Sequence, residues 1–118
     1  MKKIYHLATC NTCQKIIKEL NNGEDFELQN IKVENISKEQ LAALKDKVGS
    51  FEALFNRRSM KYRSMGLKDK QLSEEDYEQL ILDEYTFLKR PVIIINNQVF
   101  VGNSKKTIVA AKNALEAA

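Results

Sequence analysis

Two cysteines separated by two residues, Cys10 and Cys13, are the side chains of this sequence best suited to chemistry. Cysteine attacks as the thiolate, and a second thiol one helical turn along can attack a mixed disulfide formed at the first. A strand pattern precedes the pair and a helical pattern follows it, so the helix start would favour the anion of Cys10. The spacing therefore predicts Cys10 as the nucleophile and Cys13 as the resolving thiol. The alternative is a pair of inert, buried thiols.

Other uses of the two cysteines are less favourable. A zinc site needs about four ligands, and Cys10, Cys13 and the single His6 fall short of that number, so we expect no metal. A structural disulfide would close too short a loop to stabilise the fold much, and a reducing compartment works against it. Redox chemistry is the remaining interpretation.

Composition and charge set the class of protein. The 118 residues are enough for one domain, and 19 basic against 16 acidic residues give a net charge of +3. The two signs are interspersed, which does not favour direct binding of nucleic acid. The densest basic cluster, around residues 57–63, is either a solvated surface or an aid to anion approach. Because no apolar run suits a signal peptide or a membrane span, we expect a cytoplasmic protein without membrane contact.

The first part of the chain has a strand–helix–strand pattern. Residues 3–7 are apolar and rich in strand formers, and residues 26–31 form a second such run. Between them, apolar residues at helical spacing over 16–20 predict a helix. Asn11 and Thr12 are the candidates for its N-terminal cap.

The remaining elements are a helical middle and a strand–strand–helix end. Gly49 ends the first middle helix, and the Asn96-Asn97 pair separates two strand-like runs, which is typical of a hairpin. The serines expected at helix starts are Ser37, Ser73 and Ser104. The order β-α-β, helices, then β-β-α predicts an α/β thioredoxin-like fold in one domain, 1–118, with a helical insertion at about 37–86. The first two strands should be parallel and the hairpin antiparallel.

Several segments resemble one known family. The segments that carry the resemblance are HLATC, TFLKRPVIII, VFVG and the middle segment LFNRRSMKYRSMGLKDKQLSEEDYEQLI. The chain resembles arsenate reductases of the glutaredoxin-linked type, a family that includes the Spx regulators and YffB-like proteins. The resemblance spans nearly the whole chain. It implies a cis peptide bond at Pro91, facing the active cysteine, where the alternative is a trans proline at an edge strand. It also implies no bound cofactor, with glutathione, glutaredoxin or thioredoxin as the electron donor.

The resemblance also implies roles for charged residues. His6, four residues before Cys10, would lie near the thiolate and help to set its ionisation, or would be a strand residue without catalytic effect. Family arsenate reductases bind the oxyanion with three arginines, and Arg90 matches one of them. The other two positions hold Asn56 and Asn103 here. Arg57 and Arg58 are nearby substitutes for anion binding, or else exposed helix charges.

Three functions follow from this comparison. The first is thiol–disulfide oxidoreduction by Cys10 and Cys13, since the arsenate reductases keep only one cysteine in this segment. The second is arsenate reduction at Cys10. The third is an Spx-like redox-sensing regulator that binds the C-terminal domain of the RNA polymerase α subunit. The CXXC matches the Spx pattern, but Spx proteins typically carry a longer C-terminal tail.

Overall fold

The computed structural model describes all residues from Met1 to Ala118. The strands are β1 (Lys2–His6), β2 (Glu27–Asn30), β3 (Val92–Ile95) and β4 (Gln98–Val101). The α-helices are α1 (Asn11–Glu19), α2 (Lys38–Val48), α3 (Met60–Ser64), α4 (Glu74–Asp83) and α5 (Lys105–Ala117). Four single-turn 3₁₀ helices cover Asn21–Gly23, Glu52–Leu54, Leu67–Asp69 and Tyr85–Phe87. The chain divides into a sheet unit, residues 1–34 with 90–118, and a helical unit, residues 35–89.

The sheet unit has the thioredoxin-like α/β arrangement that the element order predicts. Its strands lie in the order β2-β1-β3-β4. β1 and β2 are parallel, whereas β3 is antiparallel to both β1 and β4. The turn between β3 and β4 includes Asn96, whose φ of 56° is in the left-handed region that asparagine tolerates. The parallel first pair and the antiparallel hairpin are both confirmed.

A continuous apolar cluster holds the sheet to α1 and α5. Ile4 of β1 and Ile93 of β3 are opposite each other in the register and are fully buried. Ile16 of α1, Leu20 directly after that helix, and residues of α5 join the same cluster. Burying an isoleucine or leucine stabilises a fold by about 1.5–3 kcal/mol, so this core holds α1 and α5 against the sheet.

The helical unit has its own caps and its own aromatic core. Ser37 and Ser73 each form a capping box at the start of α2 and α4, and Gly49 ends α2 with φ of 100°. Phe55 is fully buried, and its ring lies 4.9 Å from that of Tyr77 and 5.0 Å from that of Phe87. The unit begins and ends within a few residues of the insertion expected at 37–86. That the two units form one domain stays a prediction.

One expected cap is wrong. The residue at the N-cap of α1 is Cys10, not Asn11 or Thr12, and its side chain makes no capping hydrogen bond to the backbone. Cys10 has extended backbone angles, whereas Asn11 and Thr12 are already inside the helix. None of the helices is long and apolar enough to cross a membrane.

Candidate active site

The turn between β1 and α1 places Cys10 at the start of the helix. β1 ends at His6, and the N–H of Cys10 then donates to the carbonyl of Leu7 at 2.9 Å. The Cys10 carbonyl accepts the first helical hydrogen bond, from Gln14 N–H at 3.1 Å. Because the first N–H groups of a helix have no partner within it, they are free to point toward the Cys10 sulfur. The thiol is partly exposed.

This position lowers the pKa of Cys10. Burial by itself would raise that pKa, since it disfavours the charged form. The backbone N–H and the thiol of Cys13, the backbone N–H of Thr12 and the charge of Arg90 act in the opposite direction and prevail. These groups donate to the sulfur or carry positive charge, so they stabilise the thiolate. Cys10 is therefore the more easily ionised of the two thiols.

Cys13 lies one turn inside α1 and is fully buried. Burial first, and then the hydrogen bond to Cys10 and the charge of Cys10, raise the pKa of its thiol to about 11. A hydrogen bond with the Leu7 backbone and the charge of Arg90 oppose this rise without cancelling it. Both cysteines are free thiols in the structure. Cys13 is thus a protonated donor beside the Cys10 sulfur at neutral pH.

Arg90 precedes β3, and its peptide bond to Pro91 is cis. The positive charge of Arg90 acts on both thiols and lowers the pKa of each. Its Nε and Nη1 atoms are buried and make no hydrogen bond within the protein. Buried guanidinium N–H groups are normally paired, and they are suited to binding anions. The structure therefore brings Arg90 together with Cys10 and Cys13.

His6 is the last residue of β1, and burial lowers its pKa below the ordinary value of 6.5. The imidazole is therefore neutral at neutral pH. Its Nδ1 is buried without a hydrogen-bond partner. The groups that shift the pKa of Cys10 do not include His6. A role for His6 in setting the thiolate stays a prediction.

Arg57 and Arg58 both lie in the helical unit. The Arg57 guanidinium donates to Glu52 at 2.6 Å and to the Tyr77 hydroxyl at 2.9 Å. Arg58 is exposed, and its side chain makes no ion pair. Their proposed part in anion binding at Cys10 stays a prediction.

Two side chains that the sequence pattern did not single out hold the turn before Cys10. The Asn30 side-chain oxygen accepts from Ala8 N–H at 3.3 Å, and the Gln14 side chain donates to the Ala8 carbonyl. The backbone N–H and the carbonyl of Ala8 are therefore both held by side chains, one from β2 and one from α1. A signal for Asn30 did exist, because the carboxyl ends of neighbouring parallel strands meet at the same edge of a sheet.

No group of three or more histidine, cysteine, aspartate or glutamate side chains is close enough to hold a metal ion. The chemistry available at this site is that of two thiols of unequal acidity beside a buried guanidinium. A thiolate at a helix start next to a second thiol is suited to thiol–disulfide exchange.

Comparison with known proteins identifies the family of this chain. The model of the ArsC family matches residues 5–111. The uncharacterized protein YusI of Bacillus subtilis is 34% identical over 102 residues, which cover 83% of this chain and 86% of YusI. The chain belongs to the ArsC family.

Solved structures show the same fold. A putative arsenate reductase from Yersinia pestis superposes with a TM-score of 0.79 at 17% identity, covering 93% of this chain and 99% of that one. An arsenate reductase from Vibrio cholerae gives a TM-score of 0.78 at 21% identity, with coverage of 92% and 95%. At these identities the likeness establishes the fold.

Proposed function

We propose that this ArsC-family protein is a thiol–disulfide oxidoreductase in which Cys10 attacks and Cys13 resolves. The observation that carries the proposal is the unequal acidity of the two thiols. The pKa of Cys10 is lowered at the start of α1, and that of the buried Cys13 is raised to about 11. One thiolate and one thiol in contact are the starting state that exchange requires.

The reaction transfers two electrons in two exchange steps. The Cys10 thiolate attacks one sulfur of a substrate disulfide, forms a mixed disulfide and releases the other substrate sulfur as a thiolate. Cys13 then loses its proton and attacks the Cys10 sulfur, which leaves an intramolecular disulfide. The second substrate sulfur departs and takes up the proton, so the substrate is fully reduced. Two equivalents of a thiol such as glutathione, or one dithiol of thioredoxin, restore the pair by the reverse exchange.

Arg90 has an electrostatic role in this scheme. Its charge acts on both sulfurs, and its buried Nε and Nη1 atoms make no hydrogen bond within the protein. We assign Arg90 to stabilising the thiolate and an anionic group of the substrate or reductant. Glutathione, which carries carboxylates, and the proteins glutaredoxin and thioredoxin are the donors we propose. Free thiols at the site suit a reducing compartment, which we take to be the cytoplasm.

The test is turnover of a model disulfide with glutathione and its NADPH-dependent reductase. Cys10→Ser should reduce turnover to the background rate. In the Cys13→Ser variant, the Cys10 thiolate should still attack the disulfide. A glutathione adduct should then accumulate on Cys10, visible by mass spectrometry. Thr12→Ala is the control, because Thr12 contributes its backbone N–H, and it should turn over at nearly the wild-type rate. Wild-type turnover by Cys10→Ser would refute the proposal.

Arsenate reduction is the second candidate, favoured by one observation. The unpartnered N–H groups of Arg90 are suited to a tetrahedral oxyanion beside Cys10. Against it, the matching positions for two further arginines hold Asn56 and Asn103. The Asn56 amide is occupied within the helical unit, where it donates to Thr86 O at 3.1 Å and accepts from Arg58 N–H.

The regulator alternative, with the polymerase α subunit as partner, stays a prediction.

A further inference from the structure

A cleft of about 800 Å³ lies within the helical unit, and none of the residues of the proposed reaction lines it. Its walls come from α3 and the turns on either side of that helix, between Arg57 and Asp69. The basic side chains of the wall are Arg57, Arg58, Arg63 and Lys68, and Asp69 is its acidic residue.

Three of the four cations are available to a ligand. Arg57 is already paired with Glu52 and Tyr77. Arg58, Arg63 and Lys68 are exposed, and none of them forms a salt bridge within the protein. Like charges gathered along a cleft raise the local concentration of anionic partners. The cleft therefore favours a negatively charged ligand.

An apolar side chain lies among these charges. Met60 lines the cleft and is 88% exposed. A methionine adapts its shape to a partner, and methionine and arginine are both enriched at the centre of protein interfaces. An exposed apolar residue surrounded by cations matches a ligand that is acidic but also has an apolar group.

Two other ligand classes fit less well. Single-stranded nucleic acid binds by stacking its bases on exposed aromatic rings, and the aromatic residue of this cleft, Tyr62, is half-buried with its ring 6.0 Å from that of Phe55. A small phosphate-like ion needs several donors converging in an enclosed site. Here the three available cations are exposed on the surface.

We propose that this cleft docks an acidic segment of a partner protein, with an apolar residue against Met60 and carboxylates beside Arg58, Arg63 and Lys68. The interaction does not involve the thiols. It would give the protein a recognition surface in addition to its reactive site.

Fluorescence anisotropy with the full chain tests the docking site. The probe is a fluorescein-labelled peptide with two central leucines flanked by glutamates. The charge reversal Arg58→Glu/Arg63→Glu should weaken binding about tenfold, because two exposed attractions become repulsions. The control Lys105→Glu/Lys106→Glu makes the same change in net charge on exposed residues of α5 and should bind within about twofold of wild type. Equal affinities of the two variants would overturn the proposal.

A second pair of variants tests the apolar contact and remains informative if the charge reversal does not fold. Met60→Ser should weaken binding about threefold or more, whereas Val33→Ser, which removes an equally exposed apolar side chain, should not. Tighter binding of a single-stranded DNA oligonucleotide than of the peptide, lost in the same charge-reversal variant, would overturn the assignment to protein. Alkylating Cys10 should leave peptide affinity unchanged, so failure of the redox proposal and failure of this one are distinguishable.

Discussion

Cys10 and Cys13 differ in acidity because Cys10 lies at the N-terminus of α1, whereas Cys13, one helical turn further on, lies in the core. Burial is the largest cause of the raised pKa of Cys13. The hydrogen bond between Cys13 and Cys10 and the charge of Cys10 are the other two causes. Once Cys10 is in a mixed disulfide, it no longer carries that charge, and one cause of the raised pKa disappears. Cys13 therefore becomes easier to deprotonate after the first exchange step, when its attack is required.

Replacing Arg90 should change the ionisation of Cys10. The guanidinium is one of the groups that lower the pKa of Cys10, so Arg90→Gln should raise that pKa. Alkylation requires the thiolate, and the rise in the rate of Cys10 alkylation should consequently shift to higher pH. Brief iodoacetamide treatment over a pH series, read by mass spectrometry, measures this, and Cys10 should label before Cys13 in the wild type. Arg57→Gln, at an arginine paired with Glu52, is the matched control, and coincident profiles for the two variants would contradict the assignment.

Sequence reasoning identifies residues whose chemistry is visible in their type and spacing. The Cys10–Cys13 pair is of this kind, and Arg90 could be found from its place beside Pro91 in a family-like segment. Asn30 and Gln14 could not be found from their own type and spacing, although the parallel pairing of β1 and β2 does indicate the edge of the sheet where Asn30 lies. Each acts through a hydrogen bond to Ala8 that depends on how β2 and α1 lie beside the turn. Such a contact is not encoded in local sequence spacing.

At the level of elements, the end of β2 supports the turn that carries Cys10. The Asn30 side-chain oxygen accepts from both Ala8 N–H and Lys32 N–H at 3.3 Å. Asn30→Ala leaves both donors without this partner and should lower the free energy of unfolding by about 1 kcal/mol. Urea denaturation measures the change. Asn113→Ala, at an exposed asparagine of α5, should change stability by no more than about 0.5 kcal/mol, and an equal loss in both variants would contradict this role for Asn30.

The burial of Tyr5 in β1 should make the stability of the fold depend on pH in the alkaline range. Burial, followed by the charge of Glu27, raises the pKa of Tyr5 from 10.0 to about 12. Between these pH values the unfolded chain loses the Tyr5 proton while the folded chain keeps it, so the folded state becomes less stable as pH rises. Cys13 acts with the same sign between about pH 9 and 11.

Tyr5→Phe removes the Tyr5 part of this pH dependence and leaves that of Cys13. Urea denaturation from neutral pH to about pH 12 should give a shallower loss of stability for Tyr5→Phe than for the wild type. The difference between the two proteins at neutral pH measures the change in packing and serves as the internal control. Parallel curves above pH 10 would show that the Tyr5 hydroxyl is not responsible.

The elements with local signals are those that the sequence predicts well. Ser37 and Ser73 cap α2 and α4 as expected, because a side-chain oxygen bonding to the third backbone N–H is a local arrangement. The cap of α1 was mispredicted for the opposite reason. Cys10 holds the N-cap position without a side-chain capping bond, so the start of that helix has no local capping signal, although Ile16 and Leu20 belong to the core.

At the scale of the molecule, the sheet unit is discontinuous in sequence. β1 is hydrogen-bonded to β3, which follows only after the whole helical unit. Hydrophobic patterning predicts that both are strands, but it does not specify that Ile4 is opposite Ile93. Pairing over such a separation depends on topology rules and on tertiary packing. The reactive thiols and Arg90 belong to the sheet unit, whereas the basic cleft belongs to the helical unit.

For arsenate we predict weak reduction or none. A tetrahedral oxyanion is held by charge-assisted hydrogen bonds, and losing one costs about 1.5–3 kcal/mol. With Asn56 and Asn103 at two of the three family positions, affinity should be lower by roughly two to four powers of ten than with three arginines. Arg57 does not compensate readily, since Glu52 and Tyr77 already bind its guanidinium.

The measurement is an NADPH-coupled assay with arsenate, glutathione and glutaredoxin, run beside a thioredoxin-coupled version. Asn103→Arg restores one of the family's cations and should lower the arsenate KM about tenfold or more, because a single charged hydrogen bond contributes about 1.5–3 kcal/mol. Asn97→Arg, at an exposed hairpin residue, adds the same charge and should leave the KM unchanged. Wild-type turnover equal to that of an authentic arsenate reductase would show that Arg90 alone suffices for the oxyanion. The Cys10–Cys13 pair would then belong to an arsenate cycle, with Cys10 attacking arsenic and Cys13 returning the electrons.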